Sequence, residues 1–177
     1  GLPDRDNYLG TEKNDVELQA KYREHIVTIL KLAQIEDAET KAAHIYDLEK
    51  MIETVHASRT DSADIQKANN PWARKDFSGK APGIDWLTFF NAAGLSAQPT
   101  IVVWHPGAVT GISALIANQP LDVWKEYLTF RAIDRASGLL PKSFATERFK
   151  FYSTTLNGIP QQSDRWKRAV NNTSADL

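Results

Sequence analysis

The chain has 177 residues, 42% of them hydrophobic and 24% charged, enough for one globular domain with a sizeable core. Its 21 Lys and Arg stand against 22 Asp and Glu, a net charge of -1, which leaves no global basic field to draw in nucleic acid or anionic lipid. The absence of cysteine rules out disulfides, thiolate metal sites and thiol nucleophiles. The longest apolar runs are a few residues, too short to span a bilayer.

The opening stretch GLPDRDNYLG has no initiator methionine and neither the basic nor the apolar region of a signal peptide. It is turn chemistry, built from Gly, Pro, Asp and Asn, and it reads as part of something longer. Asn14 or Asp15 is then placed to cap a helix running to about Ile35, with Leu18, Tyr22, Ile26, Ile29/Leu30 and Ala33 on its apolar face. A second helix follows the acidic residues Glu36 to Glu39, marked by Ala42, Ile45, Leu48/Glu49, Ile52 and Val55. The short link predicts an antiparallel pair. From Asp61 to Pro82 the pattern gives way to breakers, which predicts a long surface connection with one or two short helices.

The stretch GIDWLTFFNAAGL predicts a short helix, with Asp85 near its start and Gly94 just past its end. PTIVVW is the one convincing β signal, over 100–104, and its strand partner cannot be read from the sequence. Helices then follow over Ala108 to Ala117, Leu121 to about Leu140, Ser143 to Leu156, and from Gln161 to Leu177. The predicted fold class is mainly α, a multi-helix layer of antiparallel helices with one short β segment. Trp72, Trp86, Trp104 and Trp124 lie in apolar patterns and are expected in the core.

Tests for catalytic chemistry fail one after another. None of His25, His44, His56 and His105 has a second His four residues on, as a zincin helix requires. Glu53 and His56 form an i,i+3 pair, but a di-iron bundle needs a second copy, and none exists; a solvated surface pair is expected. Ser113 lies in GISAL without the second glycine of a nucleophile elbow. No Gly-rich phosphate loop occurs. The acidic residues read as scattered over polar helix faces, with Glu17/Lys21 and Asp37/Lys41 as helix-supporting pairs. Arg165, Lys167 and Arg168 surround Trp166, a pattern that can contact nucleic acid. The neutral net charge argues against that use, and Trp166 with Val170 reads as an inward stripe.

GLPDRDNYLG resembles the Gly-Leu-Pro-x-Arg-Asp-x-Tyr segment of the neprilysin and endothelin-converting-enzyme family of zinc metallopeptidases. IDWLTFFNAAGL with IVVWHPGAVTGISALI, LDVWKEYLTFRAIDRASGLL, and RFKFYSTTLNGIPQQSDRWKRAV are similar to that family's segments in the same order, over nearly the whole chain. The resemblance implies that residues 1–177 form a single helical domain, a fragment of the N-terminal, non-catalytic lobe of a larger metallopeptidase. Such a lobe encloses substrate, restricting it to peptides and small proteins. The family's His-Glu-x-x-His helix and later Glu are absent from these residues, so zinc is implied for the full-length enzyme only. No cofactor is expected in this fragment, which alone should be inactive. The implied partners are the catalytic lobe of the same polypeptide and peptide substrates, with no nucleic acid and no membrane contact by this segment. The implied location is extracytoplasmic. Arg5, Arg131, Arg135 and Arg148 are the candidates to face the chamber, because an inward arginine can hold a carboxylate bidentately. The competing reading is a freestanding helical interaction module with no catalytic role.

Overall fold

The computed structural model describes residues 1–164 together with 166, 167, 169, 170 and 173. Helix α1 (Arg5–Leu9) is capped by the Asp4 side chain, which accepts from the Asp6 N–H. Its last carbonyls meet Gln19 Nε2, which donates to Asn7, Tyr8 and Gly10 at 3.0, 3.3 and 2.9 Å. A short helix thereby gains partners for groups it cannot satisfy itself.

Helix α2 (Lys13–Leu32) starts earlier than the predicted Asn14 or Asp15 cap; Glu12 occupies the cap position without a side-chain bond. It also stops before Ile35. Gln34 turns left-handed at φ 57, Gln34 N–H bonds Lys31 O, and Ile35 N–H bonds Leu30 O, the paired bonds of a Schellman ending. Helix α3 (Ala38–Val55) follows the link 33–37 and packs along α2, so the hairpin expectation holds. The expected Glu17/Lys21 and Asp37/Lys41 pairs do not form. Asp37 stands outside the helix at its cap; Glu17 instead pairs with Lys13 at 3.9 Å, and Lys31 of α2 pairs with Glu39 of α3 at 2.5 Å.

Residues 59–80 are more than a surface connection. They form α4 (Arg59–Ala63), α5 (Ile65–Ala68), β1 (Pro71–Ala73), a 3-10 turn (Arg74–Asp76) and α6 (Phe77–Lys80). β1 supplies the partner that β2 (Thr100–Val102) needs: the two run antiparallel with Trp72 opposite Ile101. Helix α7 (Trp86–Ala92) lies between them in sequence, capped by Asp85 and ended by Gly94 at φ +69, as predicted. Together these elements bury a second apolar cluster of Trp72, Phe77, Ala81, Trp86, Phe90 and Val103.

Helix α8 (Pro106–Asn118) packs on α3. Ser113, buried within it, accepts the Gly83 N–H at 2.7 Å through its hydroxyl, so this serine is an anchor for the 81–84 loop. A Cβ at Gly83 would overlap the Ser113 carbonyl oxygen; the close approach requires glycine. Helix α9 (Leu121–Ala136) is shorter than predicted, breaking where Ser137 and Leu139 bond back to Asp134 and Ala136. Helix α10 (Lys142–Arg148) runs directly into a π-helical segment, Phe149–Thr155.

The main core is formed by Tyr8 of α1, Tyr22, Ile26, Ile29 and Leu30 of α2, Ile45 and Tyr46 of α3, Phe130 of α9, Phe144 of α10 and Phe151 of the π segment. Burying such a side chain contributes about 1.5–3 kcal/mol. Trp72 and Trp86 are core, as expected, but Trp104 is 54% exposed beside the α8 N-terminus and Trp124 is half-buried. Gln161–Asp164 are not helical, and the final helix is seen only in isolated positions, with Arg165, Arg168 and most residues after Val170 outside the described residues. Trp166 and Val170 are 64% and 55% exposed, so the inward stripe is not formed.

Candidate functional site: an arginine-lined cleft over a buried acid lattice

Four acidic or basic side chains are buried, one of them, Glu49, on the face that helical spacing already marks. Glu49 lies on α3 at 4% exposure, Asp134 on α9 at 4%, Glu147 on α10 at 9%, and His25 on α2 at 1%. Each needs partners, because an unpaired charge in the interior is costly. The other described acids do lie on exposed or half-buried faces, but these three organise the core.

Glu49 Oε2 accepts from Tyr8 Oη at 2.8 Å and from Tyr22 Oη at 2.7 Å. Burial, reinforced by the Glu49 charge, raises both phenols well above the ordinary tyrosine range, so both remain donors. Glu49 Oε1 has no hydrogen bond among the described residues and faces Arg131 Nη1 at 3.6 Å. A second cluster centres on His25. Its Nε2 lies 3.1 Å from Asp134 Oδ1 and its Nδ1 lies 3.1 Å from Glu147 Oε1. With a carboxylate on each ring nitrogen, the charged imidazolium can donate to both. Burial works against that charge, but the bonds to Asp134 and Glu147 outweigh it and hold the imidazole above the usual histidine range. Burial also disfavours the Asp134 anion, and the bonds from His25 and Tyr152 overcome it, leaving its carboxyl below the usual range.

The Tyr152 hydroxyl donates to Asp134 Oδ2 at 2.8 Å. Arg148 Nη1 donates to the Asp134 carbonyl at 2.7 Å, stands 3.4 Å from Oδ2, and lays its guanidinium over the Tyr152 ring at 4.8 Å. Above this lattice lies a cleft of about 490 Å³, walled by Arg131, Arg135, Arg148, Leu128, Asp134 and Tyr152. Three of the four arginines singled out from the sequence thus meet at one cleft. Arg5 does not join them; it sits on α1 against Asp6 at 3.5 Å. Arg131 and Arg148 are anchored from behind by buried carboxylates while their side chains stay 43% and 39% exposed. Arg135 makes no ion pair among the described residues. A planar anion entering the cleft would meet guanidinium donors already oriented.

Sequence reasoning missed Glu49, Asp134, Glu147 and His25 as a set. One local sign was available, since His25 is three residues from Tyr22 and one from Ile26, on the buried stripe of α2. The histidines remain unsuited to a metal. The two carboxylates at His25 approach opposite ring nitrogens and do not converge, and among the described residues no group of three or more His, Asp or Glu is placed to hold an ion. Zinc does not fit these residues. Elsewhere, His44 pairs with Glu126 at 3.0 Å and His56 with Glu53 at 3.5 Å. The latter is the i,i+3 pair expected at the surface, and it is partly exposed.

Comparison with known proteins places this architecture. An endothelin-converting enzyme homolog of Locusta migratoria is 23% identical over 98% of the chain, and an endothelin-converting enzyme-like 1 of Mus musculus is 23% identical over 75% of it. Among solved structures, the zinc metalloprotease Zmp1 of Mycobacterium tuberculosis superposes on 97% of the chain at 27% identity. The TM-score is 0.87 for its open state and 0.88 for its complex with inhibitor. The chain spans 25% of the locust protein and 27% of the open-state Zmp1 chain, about a quarter of each. The family model described as "Peptidase family M13", in its N-terminal part, matches residues 1–177 from end to end. With sequence, fold and family model in agreement along its length, the chain belongs to peptidase family M13.

Proposed function

We propose that the chain is the substrate-enclosing, non-catalytic lobe of a zinc metallopeptidase acting on peptides, and that its cleft contacts substrate through Arg131, Arg135 and Arg148. The observation that carries this reading is the convergence of three arginines on one cleft, two of them braced by buried acids, in a chain of family M13. A wall of this kind acts by shape, admitting only what can thread past it. An arginine trio adds a preference for a carboxylate. Zinc and the general base would be held by the rest of the polypeptide, where the metal would supply Lewis-acid chemistry for peptide hydrolysis, while the residues described here bind and orient the substrate. Its partner is the catalytic lobe of that polypeptide, and its location is extracytoplasmic.

The test is a charge reversal in the full-length protein. Arg135→Glu is expected to raise KM for peptides with a free C-terminal carboxylate about tenfold, the equivalent of one charge-assisted contact, and to leave amidated peptides unchanged. Equal effects on both peptide forms would refute the assignment of the arginines. The isolated chain with added zinc is expected to cleave nothing; turnover that survives repurification and is lost to a chelator would refute the non-catalytic role.

A further inference from the structure

We propose that His25 is a protonation-dependent tie beneath the arginine cleft: charged, it joins α2, α9 and α10 and shares the Asp134 charge, so that Arg148 stays braced at the cleft wall; neutral, it leaves that charge to Arg148 alone and draws the arginine inward. The inference rests on the reading of the cleft as a carboxylate site.

The geometry demands a change on deprotonation. The charged ring carries two N–H groups and faces two carboxylates at 3.1 Å, one from α9 and one from α10. The neutral ring carries one. One nitrogen would then point a lone pair at an anion, in a place where the ring is fully buried and water cannot intervene. Packing also prevents the ring from turning away. His25 is stacked on Phe151 at 4.9 Å and met edge-on by Phe130 at 6.3 Å and Tyr152 at 5.4 Å.

The groups facing this ring come from every element around it. α9 contributes Asp134. α10 contributes Glu147, with Arg148 on the far side of Asp134. The π segment contributes Tyr152, hydrogen-bonded to Asp134, and Lys150, 3.9 Å from Glu147 and 3.7 Å from Glu24 of α2. α2 itself contributes Tyr22, whose hydroxyl is committed to Glu49 of α3. Among these, two cations remain to answer the carboxylates once His25 is neutral. Lys150 is the recourse of Glu147. Arg148 is the recourse of Asp134, already 3.4 Å from Oδ2. Drawing Arg148 inward removes a donor from the cleft wall. His25 is therefore a positioning residue, acting on the ligand through Asp134 and Arg148.

The His25 imidazole is held above its ordinary value in the fold. The stability it confers is complete below about 6.5 and is lost as pH rises through the higher folded value. Asp134 is held below its ordinary value, so its contribution is present above about 3.9 and lost as pH falls through the lower folded value. The tie is closed between these limits.

The experiment uses the full-length protein and an N-acetylated peptide in free-acid and amide forms, so that no peptide amine titrates. Histidine-labelled NMR on the unmodified protein is expected to show the imidazole assigned to His25 titrating above the ordinary histidine value. Affinity for the free-acid peptide is expected to fall about tenfold across that same titration, with the amide unaffected. Glu147→Gln, which keeps the shape and removes one anion, should move both midpoints to lower pH together. A His25 imidazole titrating at the ordinary value would overturn the tie, with no variant needed. A high-titrating histidine combined with a pH-independent preference for the free acid would overturn the coupling to Arg148. If free acid and amide bind equally at every pH, the carboxylate reading fails, and a titration at the ordinary value would then overturn the tie as well.

Discussion

Replacing Glu49 by alanine tests whether the buried acids hold the lobe together. Glu49 Oε2 is the acceptor of two buried phenols, Tyr8 at 2.8 Å and Tyr22 at 2.7 Å, which bring α1 and α2 onto α3. A hydrogen bond to a charged group contributes about 1.5–3 kcal/mol, and leaving its donor buried and unpaired costs a similar amount. The two bonds share one oxygen and are not additive, and removing a buried carboxylate recovers part of its desolvation penalty. The pairing with Arg131 adds little, because that side chain is 43% exposed. The expected loss is about 3 kcal/mol, or about 6–12 °C in Tm for a domain of this length. Thermal unfolding followed by circular dichroism reads it. Tyr22→Phe in the same background supplies a double-mutant cycle, and the coupling energy should be about 1–3 kcal/mol. A loss below about 1 kcal/mol for Glu49→Ala, or no coupling to Tyr22, would mean that Glu49 is an ordinary surface glutamate and that the lattice carries no weight.

The buried phenols give a second expectation: burial raises Tyr8, Tyr22 and Tyr152, with Glu49 or Asp134 adding to it, so the folded state keeps protons that the unfolded state releases above about pH 10. Stability should therefore fall as pH rises through that value, by about 1.4 kcal/mol per pH unit for each group; phenolate absorbance appearing well before the loss of helical signal would contradict it. A third concerns the seam between α8 and the 81–84 loop. Gly83→Ala forces a Cβ onto the Ser113 carbonyl and should cost about 1–3 kcal/mol in chemical denaturation, whereas a neutral result would show that the loop can move off α8.

What could be read from the sequence was set by periodicity. The α2–α3 hairpin was legible because Tyr22, Ile26, Ile29 and Ile45, Leu48 recur at helical spacing and the link is short. The ends of α7 were legible because Asp85 and Gly94 have one favoured use each at a helix terminus. The end of α2 was not, because Gln34, a residue with no preference for left-handed backbone, takes the position where glycine is usual. The partner of β2 was hidden for a different reason. Pro71–Ala73 is three residues long, follows Asn-Asn, and carries no alternation; it becomes a strand by pairing with a segment 29 residues away, from Pro71 to Thr100. Trp104 was misplaced because an aromatic in an apolar run marks a core only when another layer covers it.

The site was less legible than the fold, and the reason is the way its acids are placed. On α9, Tyr127, Phe130 and Asp134 follow one face, so Asp134 occupies an inward position with the composition of an outward one. A helix-face reading assigns an acid to solvent by default, and only the arrival of His25 from α2 and Tyr152 from the π segment reverses that. Those residues approach from 109 positions upstream and 18 downstream. The π segment adds its own displacement. Its wider turn changes the phase of the helix after Arg148, and the side chains of Thr155 and Asn157 donate to the Lys150 and Tyr152 carbonyls five residues back. A period of 3.6 carried through this stretch would misjudge which side chains share a face. Phe151 in fact stacks on His25, while its neighbour Tyr152 reaches Asp134 and supports Arg148. The arginines could be nominated one by one from charge alone. Their convergence depends on Arg148, at the end of α10, reaching Asp134 on α9, and the buried acids that brace them depend on contacts between helices far apart in the chain.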